Sequence, residues 1–286
     1  MRILIILFLS TLMCTCQPNE AQQEQNGQSL MLYVGAASKP PVEELAAMFE
    51  EMHGIKIHVN FGGSGYMLSQ MKLAQKGDIF FPGSSDFMEI AKNDDLIYPE
   101  TEEQVVYLVN AINVQNGNPK NIKKLKDLSQ PGLKVAIANP EGVCVGAYAV
   151  EIIEQSFNEE QKAQFRKNIV TYTESCDKTA TIIALKGVDA VIGWSVFQHW
   201  NPAQIESIAL DREEIVRIGY IPIAITKFSK KKELAQEFID FVTSEKGKEV
   251  FRKYQYFSSI DEAVDYIGTE KPVGGIYEVP ATWLSK

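Results

Sequence analysis

Histidine and catalytic signatures are what this chain has least of. Its three histidines, His53, His58 and His199, stand in no recognisable motif. There is no G-x-S-x-G, so no nucleophile–base pairing is legible and an enzyme is disfavoured. No P-loop lysine and no G-x-G-x-x-G appears where a strand would lead into a helix, which argues against a phosphate-cleaving or dinucleotide site. Cysteine is sparse too: four in all, with no C-x-x-C and no zinc spacing in the body of the chain. Positive charge is short, 28 Lys and Arg against 37 Asp and Glu, for a net charge of −9. That balance disfavours nucleic acid or an anionic membrane as partner. It does not disfavour a small anion, because a few local N–H groups set the field that such an ion feels. No short-period repeat is present.

A hydrophobic run opens the chain. Met1-Arg2 followed by Ile3–Met13 reads as a secretory signal, too short to span a bilayer. It ends in Cys14-Thr15-Cys16-Gln17, which resembles the lipobox of bacterial lipoproteins. Thr15 is a tolerable small residue before Cys16, whereas Met13 before Cys14 is bulky, so Cys16 is the expected lipidation site. Residues 1–16 are then leader and 17–30, rich in Gln, Asn and Glu, a flexible tether. The product is expected outside the cytoplasm, in the periplasm or at the cell surface, held by lipid. Cys144 and Cys176 remain for the fold. An oxidising compartment would allow a disulfide between them, which requires Cα atoms within about 7 Å.

The stretch Met31–Met71 organises the rest. Met31–Val34 is a short apolar run, as in a buried parallel strand. Gly35-Ala36-Ala37-Ser38 is a small-residue turn, and Pro40 and Pro41 suit the first turn of the helix that follows. Val42, Leu45, Ala46 and Phe49 keep one apolar face, and Gly54 ends the helix. Ile55–Phe61 is a second strand, and Gly62-Gly63-Ser64-Gly65 opens a second helix. Two small-residue turns thus lead from strand ends into helix N-termini. Strand C-termini in an open parallel sheet face the ligand crevice, and helix N-termini offer free N–H groups and partial positive charge. Ser38 and Ser64 are then either anion donors or plain helix caps.

The device recurs. Asp78–Phe81 leads to Pro82-Gly83-Ser84-Ser85-Asp86, Val135–Ala138 to the turn at 139–146, and Ile169–Tyr172 to Thr173–Asp177. Asp189–Trp194 is a further strand. Val105–Val114 and Ile215–Ile225 read as crossings between two lobes. The predicted fold class is α/β: a two-lobed clamp in which each lobe is a mostly parallel sheet flanked by helices. Lobe one takes residues 31–108 and 220–286, with the Pro/Gly-rich tail packed over it; lobe two takes 109–219.

These stretches resemble the periplasmic substrate-binding proteins of ABC transporters, in the molybdate/tungstate-binding branch. The matching segments are Gly35–Ser38, Phe61–Met71, Gly77–Met88, Ala138–Ala149, Thr173–Thr179 and Asp189–Trp194. The resemblance implies a type II-like clamp that captures molybdate or tungstate and delivers it to a membrane permease, acting as a tethered monomer without cofactor or resident metal. It implies hydroxyl donors at Ser38 and Ser64 and backbone N–H donors at Val145 and Cys176. Where many members carry a Tyr, this chain has Gly193 beside Trp194; Tyr66 or Trp194 is the substitute donor. The resemblance also places Cys144 and Cys176 at the cleft, which raises a redox-sensitive disulfide beside the ligand. The remaining alternatives for the clamp are phosphate, sulfate, an organic anion, or a metal cation held by Glu141, Glu174 and Asp177. A protonated phosphate would need an acceptor, for which Asp86 or Asp177 stands available.

Overall fold

The structure, a computed structural model, describes residues 29–284. The leader, the lipidation site Cys16 and nearly all of the tether lie outside the described residues. Two five-stranded sheets form the two lobes. The first contains β1 (Ser29–Gly35), β2 (Lys56–Gly62), β3 (Ile79–Phe81), β4 (Glu103–Leu108) and β10 (Gly219–Ile225), in the order β2-β1-β3-β10-β4. The second contains β5 (Asn110–Gln115), β6 (Val135–Ala138), β7 (Ile169–Thr173), β8 (Ala190–Trp194) and β9 (Ile205–Ala209), in the order β7-β6-β8-β5-β9. The two orders are the same pattern, with β10 and β5 in equivalent places.

Both sheets are mixed rather than mostly parallel. β1 pairs in parallel with β2 and β3, and β6 with β7 and β8. β10 runs antiparallel to β3 and β4, and β5 antiparallel to β8 and β9. The reason is the double crossing. A strand that enters a lobe from the other one arrives at the cleft end, so it runs against the strands that finish there. The apolar stretch 105–114 is accordingly two strands in different sheets, parted at Val109. Of the run 215–225, only Gly219 onward is strand.

Helices follow the parallel strands: α1 (Lys39–His53), α2 (Ser64–Ala74) and α3 (Ser85–Asn93) in lobe one, and α4 (Cys144–Ser156), α5 (Glu159–Asn168), α6 (Cys176–Ala184) and the short α7 (Phe197–Trp200) in lobe two. Local chemistry explains their ends. Pro40 and Pro41 fill the first turn of α1, and Gly54 closes it with φ +65°, a left-handed geometry that costs glycine little. After β10 come α8 (Lys232–Thr243), α9 (Glu245–Lys253) and α10 (Ile260–Ile267).

The tail does not pack over lobe one alone: a Cβ on Gly274 would stand 2.5 Å from the Tyr220 ring of lobe one, but the tail's buried apolar side chains enter the core of lobe two. Ala263, Ile267 and Trp283 join the core cluster of lobe two with Ile153, Phe165 and Leu128. The Trp283 indole donates to Glu154 Oε1 at 2.6 Å, and the Arg166 guanidinium sits 4.2 Å from its ring. Its aromatic side chain finds uncovered apolar surface there, which periodicity cannot reveal.

Where the chain returns to lobe one, Arg217 is buried among groups from both lobes. Its Nε donates to Glu151 Oε2 of α4 and its Nη1 to Asp86 Oδ1 of α3, both at 2.8 Å. Nη1 also donates to the carbonyls of Gly274 and Gly275 in the tail, and the guanidinium lies 3.8 Å from the Tyr148 ring. Burial pushes the Asp86 carboxyl above its ordinary range, against the pull of Arg217 and the Ser84 hydroxyl. Arg217→Met leaves two buried carboxylates without their cation and is expected to lower unfolding free energy by about 3–5 kcal/mol. Urea titration checks it; an unchanged midpoint would refute a structural role for the pair.

Candidate functional site

The three turns of lobe one converge. A Cβ on Gly35 would stand 2.2 Å from the Gly83 nitrogen and 2.5 Å from Ser64 Oγ, so only glycine allows the first, second and third turns to meet. The third turn contributes to this junction: Gly83 N–H donates to Ser64 Oγ at 2.9 Å. Neither candidate serine caps a helix. Ser38 precedes α1 and Ser64 is the first residue of α2, yet neither side chain makes a capping bond. Ser64 accepts from Gly83, which leaves its own proton free to donate. Ser38 Oγ holds only a long bond, 3.3 Å, to the Gly35 carbonyl. Both are buried.

Lobe two answers with two helix N-termini. Cys144 and Val145 begin α4 and Cys176 begins α6, and helix geometry leaves the first N–H groups of each without an intrahelical partner. Gly146 permits the approach of α4 to the sheet, since a Cβ there would lie 2.3 Å from the Ala138 carbonyl oxygen. Both cysteines are free thiols, buried at 1% and 2% exposure. Burial pushes the Cys176 thiol well up, and the neighbouring Cys144 adds to it. Trp194 is fully buried, edge-on to Tyr148 at 5.0 Å between ring centroids. Its indole N–H has no hydrogen-bond partner. The Trp200 N–H and the Tyr148 hydroxyl are likewise unpartnered. Unmatched buried donors are rare in folded proteins.

Two expected residues fall elsewhere. Gly193 has no room for a side chain: a Cβ would lie 2.5 Å from the Phe197 ring and 2.8 Å from Asn113 Nδ2. The space a tyrosine would need on that side of β8 is filled, and Trp194 on the opposite face lines the interior. Tyr66 stands at the cleft mouth, 38% exposed, and its hydroxyl accepts from Asn139 Nδ2 at 3.0 Å. Sequence reading missed Tyr256, which donates to the Ala37 carbonyl at 2.6 Å and steadies the first turn. It lies more than two hundred residues away, and no local pattern marks it.

The lobes are closed on each other. Gly65 N–H donates to the Gly142 carbonyl at 2.9 Å across the cleft. Lys39 Nζ, one residue past Ser38, pairs with Asp177 Oδ2, one residue past Cys176, at 3.1 Å. Burial raises the Asp177 carboxyl pKa, but the Ser175 hydroxyl and Lys39 more than offset this and hold it below its ordinary value. A groove of about 480 Å³ at the mouth runs between Phe61, Tyr66, Glu174 and Lys178. The acidic groups considered for a metal do not cluster: Glu174 pairs with Lys178 and Asp177 with Lys39. Among the described residues no group of three His, Cys, Asp or Glu is arranged to hold a metal ion.

Residues 30–256 match the family described as bacterial extracellular solute-binding protein. A putative binding protein of Haemophilus influenzae is 28% identical over 233 residues, covering 78% of this chain and 88% of the relative. A putative ABC transporter substrate-binding lipoprotein of Bacillus subtilis, YvgL, is 23% identical over 252 residues, covering 86% and 93%. The periplasmic molybdate-binding protein of Azotobacter vinelandii shares the fold with a TM-score of 0.69 at 17% identity, over 79% of this chain and 98% of its own.

Closure depends on missing side chains. A Cβ on Gly63 would stand 2.6 Å from the Gly142 oxygen and 2.7 Å from the Glu174 oxygen, both across the cleft. Its φ of −61° is one that alanine adopts freely. Gly63→Ala is therefore expected to hold the lobes apart while each still folds. Small-angle scattering should give a larger radius of gyration with a nearly unchanged urea midpoint; superimposable curves would show that this contact does not govern closure.

Proposed function

Because the chain belongs to the bacterial extracellular solute-binding protein family, whose members bind and do not catalyse, we propose that its solute is a tetrahedral oxyanion, molybdate or tungstate. The protein is an ABC-type solute-binding component that works with a membrane permease. The observation that carries the oxyanion reading is Ser64. Its buried hydroxyl spares capping, accepts from Gly83 and keeps a proton to give, opposite the N-termini of α4 and α6. Ser38, Val145 N–H and Cys176 N–H complete a ring of neutral donors. Each bond to a charged acceptor contributes about 1.5–3 kcal/mol net.

The acceptors that a protonated phosphate would need are engaged. Asp86 is bound by Arg217 and Asp177 by Lys39. That favours a fully ionised ligand, and discrimination of the larger molybdate and tungstate from sulfate would then rest on the fit of the donors around the ion. Proteins of the same fold bind molybdate in one case and sulfate in another, so the likeness supports a tetrahedral oxyanion and leaves the choice among anions to the titration. Export and lipid attachment at Cys16 belong to the same reading, and the short leader ending in Thr15-Cys16 supports it.

Calorimetric titration of the full chain with molybdate, tungstate, sulfate and phosphate tests the proposal. One-to-one binding of the two larger anions with silence from sulfate is the expected result. Ser64→Ala should then weaken molybdate binding by about 10- to 150-fold. Silence from all four anions would overturn it.

A further inference from the structure

The two thiols have no part in the anion chemistry that requires sulfur, since a serine hydroxyl would donate better at either place. They stand together nonetheless. Cys144 opens α4 and Cys176 opens α6, on the turns that follow the paired strands β6 and β7, where Asn139 N–H donates to the Thr173 carbonyl at 2.8 Å, and both side chains belong to one buried cluster. Both are unbonded. What covers them comes partly from the other lobe: a Cβ built on Gly83, itself 2.7 Å from the Ala37 Cβ, would lie 3.0 Å from Cys144 Sγ. The lid over the pair is thus the wall of the anion site, in place only while the lobes are together.

We propose that Cys144 and Cys176 are a reversible oxidation site, bridged to a disulfide when the lobes part and shielded when solute closes them, and that the bridge weakens solute binding. The coupling half of this rests on the oxyanion reading above; the bridge itself does not. The chemistry is thiol–disulfide exchange with a small-molecule or protein disulfide. One thiolate attacks the oxidant, forming a mixed disulfide and releasing one thiol. The second cysteine displaces the other thiol and forms the Cys144–Cys176 bond. Two electrons pass to the oxidant, and the two cysteine protons end on its two thiols. An extracytoplasmic compartment supplies such oxidants. The bridge removes the S–H donors and draws the sulfurs to about 2 Å, shifting the two N-termini that hold the anion. Reciprocity follows at equilibrium: if solute shifts the thiol–disulfide balance toward the thiols by favouring the closed form, the oxidised form binds solute less well by the same factor.

The test treats the full chain with oxidised glutathione and maps peptides without reduction, with and without sodium molybdate. A peptide linking Cys144 to Cys176, formed more slowly with molybdate, is expected. Calorimetry should then find molybdate binding weakened by about tenfold in the oxidised protein, and dithiothreitol should restore it. The double variant Cys144→Ser/Cys176→Ser, whatever its own affinity, should bind molybdate equally before and after glutathione treatment. Absence of the linked peptide overturns the oxidation site. A linked peptide with unaltered molybdate affinity overturns the coupling. Failure of the reduced protein to bind molybdate overturns the oxyanion reading and the coupling with it, while the linked peptide still decides the oxidation site.

Discussion

Backbone-to-backbone contact between the lobes is the constraint on which the site depends. Gly65 N–H reaches the Gly142 carbonyl only because Gly63, Gly65 and Gly142 carry no side chain. Once that distance is fixed, the three turns of lobe one and two helix N-termini of lobe two bound one interior. Lys39–Asp177 and Asn139–Tyr66 then fasten the rim on either side. A hinged clamp with side chains at this seam would close around a larger space and give up the desolvation that makes neutral donors effective.

Charge is kept out of that interior. The buried guanidinium of Arg217 sits over the Tyr148 ring and is held by Asp86 and Glu151. Lysines 39 and 178 are tied to carboxylates at the mouth. A fixed cation inside would bind many anions and release them slowly. N–H and O–H dipoles at helix starts discriminate by fit, because each must lie at hydrogen-bond distance to contribute. The Arg217 cluster serves the clamp differently: it joins α3, α4 and the tail where the chain returns, so both lobes and the C-terminal segment share one buried electrostatic junction.

The double crossing explains much of the remaining form. Each sheet receives one strand from the other lobe, antiparallel to its neighbours, and the two sheets come out with the same strand pattern. Strand C-termini from both lobes therefore point at one cleft. The tail could complete either lobe by length. It covers lobe two because Trp283 meets Phe165 and Glu154 there.

By itself the sequence determined the alternation of short apolar strand, small-residue turn and helix, and with it the α/β class and the positions of Ser38, Ser64, Val145 and Cys176 at helix starts. These are local properties, written in spacing, in Pro at a helix's first turn and in Gly at its end. Only the tertiary structure decided what depends on atoms far apart in the chain. It determined that Ser38 and Ser64 do not cap, and that Phe197 fills the space beside Gly193. It also placed Tyr66 at the rim rather than in the interior, set Tyr256 against Ala37, and seated the tail on lobe two. Each is a contact across tens to hundreds of residues, governed by which surfaces remain uncovered once the sheets have formed, and no period in the sequence carries that information.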